Sequence, residues 1–301
     1  MIKSMNIDHS FKEFLITQQI KGNSKQTVAF YRNCVSPMID FIGAKTDTAQ
    51  LSLETLRKYA LYLRGRDIAD NSYKTYMKGI KAFLSWLYEE EYTSVNLSEK
   101  LKLPKAQRKT IDVLTPTEMK TLFDSFNVRT ITGLRNYCIC ALMLDSGLRR
   151  SEVIRLKISD LHIFEGYAII NGKGNKQRCV PLGNVSKKYL IKYTSLRPRD
   201  IDTESLFFTK QNTPIKNATI ARIFKTVKVT KVGDVNLTRR VYPHLLRHTF
   251  ATTYLENGGN IYALQQILGH TTLDMVKKYV HLTQAKTVVN FDKYSPLDNL
   301  N

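Results

Sequence analysis

The sequence predicts a mainly α-helical protein of two domains: an N-terminal helical bundle, then a larger, mainly helical domain holding one small β-sheet. Three observations predict it. Apolar residues recur at helical spacing in four segments before residue 90. A basic, proline-containing stretch then interrupts the periodicity. Beyond it helical patterns resume, interrupted by two short apolar runs that flank a turn rich in glycine and lysine. With 301 residues, each domain has enough chain to bury its own core. The expected boundaries are 1–90 for the bundle, 91–113 for the connector and 114–301 for the second domain with a C-terminal tail helix.

In the bundle, Phe11, Phe14 and Leu15 mark a first helix near Asp8 to Ile20. Ser24 is the expected N-cap of a second, carrying Val28, Tyr31, Val35 and Ile39. A third places Leu53, Leu56, Tyr59, Ala60 and Leu63 on one face. A fourth starts at Asn71 and carries Ile80, Phe83, Leu84 and Leu87. Short connections containing Gly43 and Gly65 suit a small helical bundle.

Helical periodicity stops after Glu91. The segment KLKLPKAQRK then carries Lys100, Lys102, Lys105, Arg108 and Lys109 without an acid, and Pro104 blocks a continuous helix. This reads as an interdomain linker able to lie along a phosphate backbone, or as a merely soluble spacer.

The second domain opens on LTPTEM, where Thr115, Pro116 and Glu118 fit an N-cap, a first helical position and a capping-box acid. Leu134 to Asp145 forms an apolar helix, Gly147 breaks it, and RRSEVIRL starts another. Tyr167 to Ile170 and Cys179 to Leu182 read as strands joined by NGKGNKQ. Helices are expected near 185–195, 217–229, 244–257, 260–268 and 272–279. Val288, Val289, Phe291 and Leu297 give the tail an apolar side suited to its own domain or to a neighbouring subunit.

Charge narrows the partner. Forty-six Lys and Arg against 26 Asp and Glu leave a net charge of +20, which predicts a polyanion, with nucleic acid the leading case. Lys74, Lys78 and Lys81 form one stripe on the fourth helix, and Lys25 and Arg32 lie a heptad apart on the second. Together with the linker's Lys102, Lys105, Arg108 and Lys109, these are the candidate phosphate contacts. No signal peptide is visible, and the longest apolar run is far too short to span a bilayer, so a cytoplasmic protein without a membrane partner is expected. Cys34, Cys138, Cys140 and Cys179 match no zinc spacing and read as reduced, mostly buried thiols, with no structural metal.

The residues with chemistry are scattered. Arg149 sits just after Gly147 at a helix start, where a guanidinium can grip a phosphate, and Glu152 shares its face. Alone, such a pair is more often a surface ion pair. Lys173 lies in a tight glycine-flanked hairpin, with Lys176 and Arg178 beside it, and the bland alternative is a charged turn. His244 and Arg247 lie three apart on a helix started by Pro243, and so face the same way. His270 sits in LGHTT, and Tyr279 follows nine residues later. A lone histidine is more often structural; this combination is hard to obtain by chance.

With these motifs assembled, the sequence resembles the tyrosine recombinase family of phage integrases and Xer-type recombinases, over almost the whole chain. G-L-R-x-S-E, G-K-G-N-K, H-x-x-R-H, L-G-H and the following tyrosine carry the resemblance. It implies a SAM-like, core-DNA-binding bundle and the family's catalytic fold. It also implies the catalytic residues Arg149, Lys173, His244, Arg247 and His270, with Glu152 in support and Tyr279 as nucleophile. Arg150 and His248 are neighbours to which the resemblance gives no such role. The bundle begins by about residue 8, so the resemblance is to Xer-like members without an arm-binding domain.

The physical argument runs alongside. Cleavage of a phosphodiester spreads negative charge over the equatorial oxygens, and two arginines and a histidine stabilise that charge. No acidic cluster for Mg²⁺ is evident, so side chains supply the cations, with neither metal nor ATP expected. A tyrosine with an ordinary pKa of about 10 needs activation. His244 is placed to accept its proton, and Lys173 to protonate the leaving 5′-oxygen. Tyr254, Tyr262 and Tyr294 compete as nucleophile, but only Tyr279 has the matching offset from His270. The expected function is site-specific recombination of double-stranded DNA through a covalent 3′-phosphotyrosine. By resemblance, a homotetramer, or a heterotetramer with a paralogue, exchanges strands through a Holliday junction, either in Xer-type resolution or in mobile-element integration and excision. The alternatives are a type IB topoisomerase, which would relax supercoils without exchange between sites, and a non-catalytic DNA-binding regulator, which would form no covalent adduct.

Overall fold

The structure, a computed structural model, describes residues 3–102, 112–172, 177–198, 203–227, 231–232, 235–236, 240–270, 272–273, 275–277 and 279. Its chain divides into two compact units, Met1–Arg108 and Lys109–Asn301. Lys105, Arg108, Lys109, Lys173 and the expected tail helix lie outside the described residues.

The first unit is built from α1 (Ile7–Ile20), α2 (Lys25–Ile42), α3 (Leu53–Gly65) and α4 (Asp70–Glu89). Ser24 and Ser52 cap α2 and α3 by accepting from the backbone N–H three residues on, at 3.2 and 3.1 Å. The apolar stripes meet in one core containing Phe11, Phe14, Val35, Met38, Phe83 and Trp86. The connector is shorter than its composition suggests. A further turn of helix, α5 (Leu97–Lys100), follows α4, and Tyr92, Leu97 and Leu101 are buried in the bundle core. Three apolar side chains leaving water contribute roughly 1.5–3 kcal/mol each, which outweighs the basic character of their neighbours. Lys81 serves this packing: its Nζ donates to the Leu101 carbonyl at 3.2 Å. Lys25, Arg32, Lys78 and Lys102 are exposed, and Lys74 is half-buried.

The second unit begins with α6 (Pro116–Asp124), where the Thr115–Glu118 capping box closes reciprocally at 2.8 and 3.2 Å. At its centre lies α7 (Ile131–Asp145), whose residues Tyr137 to Met143 are all buried. A helix apolar all round is enclosed on several sides, which is why Cys138 and Cys140, on different faces, are both inaccessible. Burial pushes the Cys138 thiol up to about 12. Short α8 (Arg150–Arg155) follows. An antiparallel sheet of β1 (Leu161–His162), β2 (Tyr167–Asn171) and β3 (Gln177–Pro181) comes next. Strand β1 was not expected from the sequence; two residues are too few for a periodic signal. Ala168, Ile170 and Val180 turn to the core, while the register pairs Cys179 with Ile169 and leaves Cys179 exposed. The remaining elements are α9 (Asn184–Ser195), α10 (Asn217–Val227), a two-residue pair β4 (Lys231–Val232) and β5 (Val235–Asn236), α11 (Pro243–Glu256) and α12 (Ile261–Leu268). Residues 275–277 and 279 are helical. Phe250, Ala251, Leu264, Leu268, Val276 and Tyr279 form a small core of their own beside the main one. Among the described residues, no helix is long and apolar enough to cross a membrane.

Candidate active site

The turn between α7 and α8 positions the first arginine. Gly147 adopts φ 63°, and a Cβ there would lie 2.6 Å from Phe250 Cδ1 and 2.9 Å from Leu268 Cδ2. Only glycine fits both the left-handed backbone and the contact. Leu148, fully buried, anchors the turn, and Arg149 emerges next. The α8 helix spans six residues, too short for its dipole to hold an anion by itself.

Glu152 holds Arg149 twice: Oε2 accepts from the Arg149 backbone N–H at 2.8 Å and Oε1 from Nη1 at 2.9 Å. The same carboxylate takes a two-pronged grip from Arg178 of β3, Nη1 to Oε1 and Nη2 to Oε2, both 2.9 Å. Burial alone would raise the carboxyl pKa, but the Arg178 hydrogen bonds and those from Arg149 outweigh it and bring it down to about 2. Glu152 is therefore ionised at neutral pH.

Arg247, on α11, is 4% exposed. Its Nη1 donates to the Gly147 carbonyl, and Nη2 reaches the Leu268 carbonyl at 2.7 Å and His270 Nε2 at 3.0 Å. Burial, with Arg149 nearby, pulls its pKa down to about 10, which leaves it charged at neutral pH. One guanidinium thus binds the turn before Arg149 to the end of α12. That end is closed by Gly269 at φ 62°, a left-handed C-cap whose carbonyl lies 3.4 Å from Arg149 Nη2.

Tyr279 is 1% exposed, and its hydroxyl lies 2.7 Å from His248 Nδ1. Burial raises the phenol to about 12, opposed by the fields of Arg247 and Arg149. At neutral pH it is protonated. His244, one turn before His248 on α11, is exposed, and the two imidazole rings are 6.4 Å apart. Arg149, Glu152, Arg247, His270 and Tyr279 therefore converge, with His244 at the rim next to His248. Lys173 lies outside the described residues; the strands on either side of its hairpin end at Asn171 and begin at Gln177. Among competing tyrosines, Tyr262 is 60% exposed and Tyr254 packs against Gly259.

Arg178 and His248 were passed over in the sequence. Arg178 follows G-K-G-N-K by two residues and His248 closes H-x-x-R-H, and a charged turn or a helix face explains either one until the tertiary partners appear. The cluster carries three guanidinium groups against one carboxylate. Such a net positive, partly enclosed site beside a phenol favours an anion. Among the described residues, no group of three or more His, Cys, Asp and Glu is placed to hold a metal ion.

A mainly helical fold carrying three arginines, histidines and a buried tyrosine in one cluster suits a DNA strand-transfer enzyme of the tyrosine class. The chain belongs to the phage integrase family: residues 112–286 match that family, and residues 9–103 match the phage integrase SAM-like domain. It is 28% identical over 297 residues to a tyrosine recombinase XerD of Staphylococcus saprophyticus, covering 96% of this chain and 99% of that protein. A XerD of Oceanobacillus iheyensis is also 28% identical, over 299 residues, with 96% and 99% coverage. Among solved structures, XerA recombinase is 26% identical with a TM-score of 0.53, covering 96% of this chain and 99% of that one. The fold is shared with the Tn1549 transposon integrase in complex with circular intermediate DNA, at 18% identity, a TM-score of 0.72, and coverage of 91% and 95%. The activity is that of a tyrosine site-specific recombinase.

Proposed function

We propose that Tyr279 attacks a DNA phosphodiester gripped by Arg149 and Arg247, so that the chain cleaves and rejoins double-stranded DNA. The observation that carries this reading is Arg247 Nη2 within 3.0 Å of His270, in the cluster whose field reaches the buried Tyr279 phenol. Arg149, Arg247 and His270 stabilise the charge that grows on the equatorial oxygens, a contribution of about 3–4 kcal/mol for one well-placed donor. The Tyr279 oxygen bonds to phosphorus as the bond to the 5′-oxygen breaks. The phenol proton passes to His244 and Lys173 protonates the leaving oxygen. Tyr279 exchanges its His248 contact for the phosphate as DNA enters. The 3′-phosphotyrosine keeps an activated bond, so religation to a second strand requires neither ATP nor metal. The exchange proceeds through a Holliday junction in a tetramer, of this chain alone or with a paralogue, on two duplexes.

The first unit adds phosphate contacts through Lys25, Arg32, Lys74 and Lys78, and the linker does so through Lys102, Lys105, Arg108 and Lys109. We place the protein in the cytoplasm, where its DNA substrate lies. Relatives named XerD, matched over 96% of the chain, favour Xer-type resolution over mobile-element integration. A Tyr279→Phe variant on a nicked suicide duplex tests the mechanism. Wild type should accumulate a covalent protein–DNA adduct and the variant none; an adduct that survives in the variant removes Tyr279 from the role.

A further inference from the structure

We propose that Arg178 is a positioning residue for DNA cleavage. It shares the Glu152 carboxylate so that Arg149 keeps an uncompensated positive charge, and it braces β3 against the end of α12. The proposal rests on the reading above that Arg149 grips the scissile phosphate.

Charge sharing follows from the hydrogen bonds. A buried glutamate bound to Arg149 alone would form a neutral pair with it, and a neutral pair attracts a phosphate weakly. Here each carboxylate oxygen accepts from both arginines: Oε1 from Arg149 Nη1 and Arg178 Nη1, Oε2 from the Arg149 backbone and Arg178 Nη2. The trio of two guanidinium groups and one carboxylate keeps a net charge of one. Exposure decides which arginine presents it, because the Arg149 side chain is 32% exposed and that of Arg178 only 13%. Glu152 therefore orients Arg149 without cancelling it, and Arg178 makes this possible from the closed side.

The brace follows from the third donor. Arg178 Nε donates to the Ile267 carbonyl at 2.7 Å, one residue before α12 ends. Beyond that end, a Cβ on Gly269 would lie 3.1–3.2 Å from Arg178 Cδ, Cζ and Nε, so the chain passes tightly over the guanidinium just before His270. One planar group thus joins β3, Glu152 and the turn that sets His270. Lysine has a single nitrogen and reproduces neither the fork nor the third bond.

A buried ion pair can also be purely architectural, and charge rescue separates the two roles. Single-turnover adduct formation on a nicked suicide duplex would be compared for wild type, Arg178→Met, Arg178→Lys, Glu152→Gln and the Glu152→Gln/Arg178→Met double variant, with thermal melting to verify folding. Arg178→Met should slow cleavage by about 10- to 100-fold, equivalent to about 1.4–2.7 kcal/mol of lost transition-state stabilisation. The double variant should recover much of that loss, because removing Glu152's charge returns Arg149's net charge; Arg178→Lys should lie between Arg178→Met and wild type. Cleavage by Arg178→Met equal to wild type, or a double variant as slow as Arg178→Met while still folded, overturns the proposal. If Arg178→Met does not fold, the same comparison is made on Arg178→Gln with and without Glu152→Gln, and absence of rescue overturns it. Adduct formation that survives Arg149→Ala would instead overturn the assignment of the phosphate grip.

Discussion

The Tyr279 hydroxyl rests 2.7 Å from His248 Nδ1, whereas His244, one turn earlier on the same helix, is exposed at the rim of the cluster. The proposed nucleophile is thus held by a histidine outside the H-x-x-R motif. With its pKa raised to about 12, the phenol is neutral in this state. Loss of a general base costs about 10²- to 10⁴-fold. We expect His244→Ala to slow single-turnover cleavage at least a hundredfold. His248→Ala should cost less than about tenfold, since its contact is exchanged when DNA binds. The reverse ranking in a quench-flow measurement would move the general-base role to His248.

Glu152 links folding to acid pH. Its folded pKa of about 2 lies below the ordinary carboxylate value near 4.3. The sign follows: stability from this group is fully present above pH ~4.3 and is lost as pH falls toward ~2, because the unfolded chain takes up the proton first. A shift of this size corresponds to about 3 kcal/mol. Glu152→Gln should therefore be less stable than wild type at pH 7, with the gap narrowing in urea melts near pH 3. A gap independent of pH would contradict the shift.

Gly147→Ala should damage both stability and chemistry. The left-handed backbone costs a non-glycine residue about 1–2 kcal/mol. Overpacking against Phe250 and Leu268 adds about 1–3 kcal/mol. Because the Gly147 carbonyl also accepts from Arg247, cleavage should fall more than DNA binding does. Calorimetry and single-turnover rates check both; an unchanged melting temperature would refute the account.

DNA affinity should fall steeply with salt. Each lysine lost from a phosphate contact lowers the log–log slope by about 0.9. Lys78→Ala, exposed on α4, should show that loss. Lys81→Ala should change the slope less and the stability of the first unit more, because its Nζ is bonded to the Leu101 carbonyl. Fluorescence anisotropy titrations across a salt series distinguish the two.

Much of the fold was legible because helical periodicity is a local property. The four bundle helices, the Ser24 cap, the Thr115–Glu118 capping box and the central hairpin strands all stand close to where spacing and caps place them. The linker was misjudged over residues 92–101. Its charge is local and visible, but the burial of Tyr92, Leu97 and Leu101 depends on a bundle assembled elsewhere in the chain.

By itself, the sequence determined the residue types and spacings of the motifs, the excess of positive charge, and so the family. Those features lie along the chain and need no fold to be read. Only the tertiary structure decided who meets whom: Arg247 with Gly147 across 100 residues, Tyr279 with His248 across 31, and Arg178 with Glu152 across 26. Pairings at such separations arise when helices bury their apolar faces together. The polar partners then follow from which groups burial leaves facing one another.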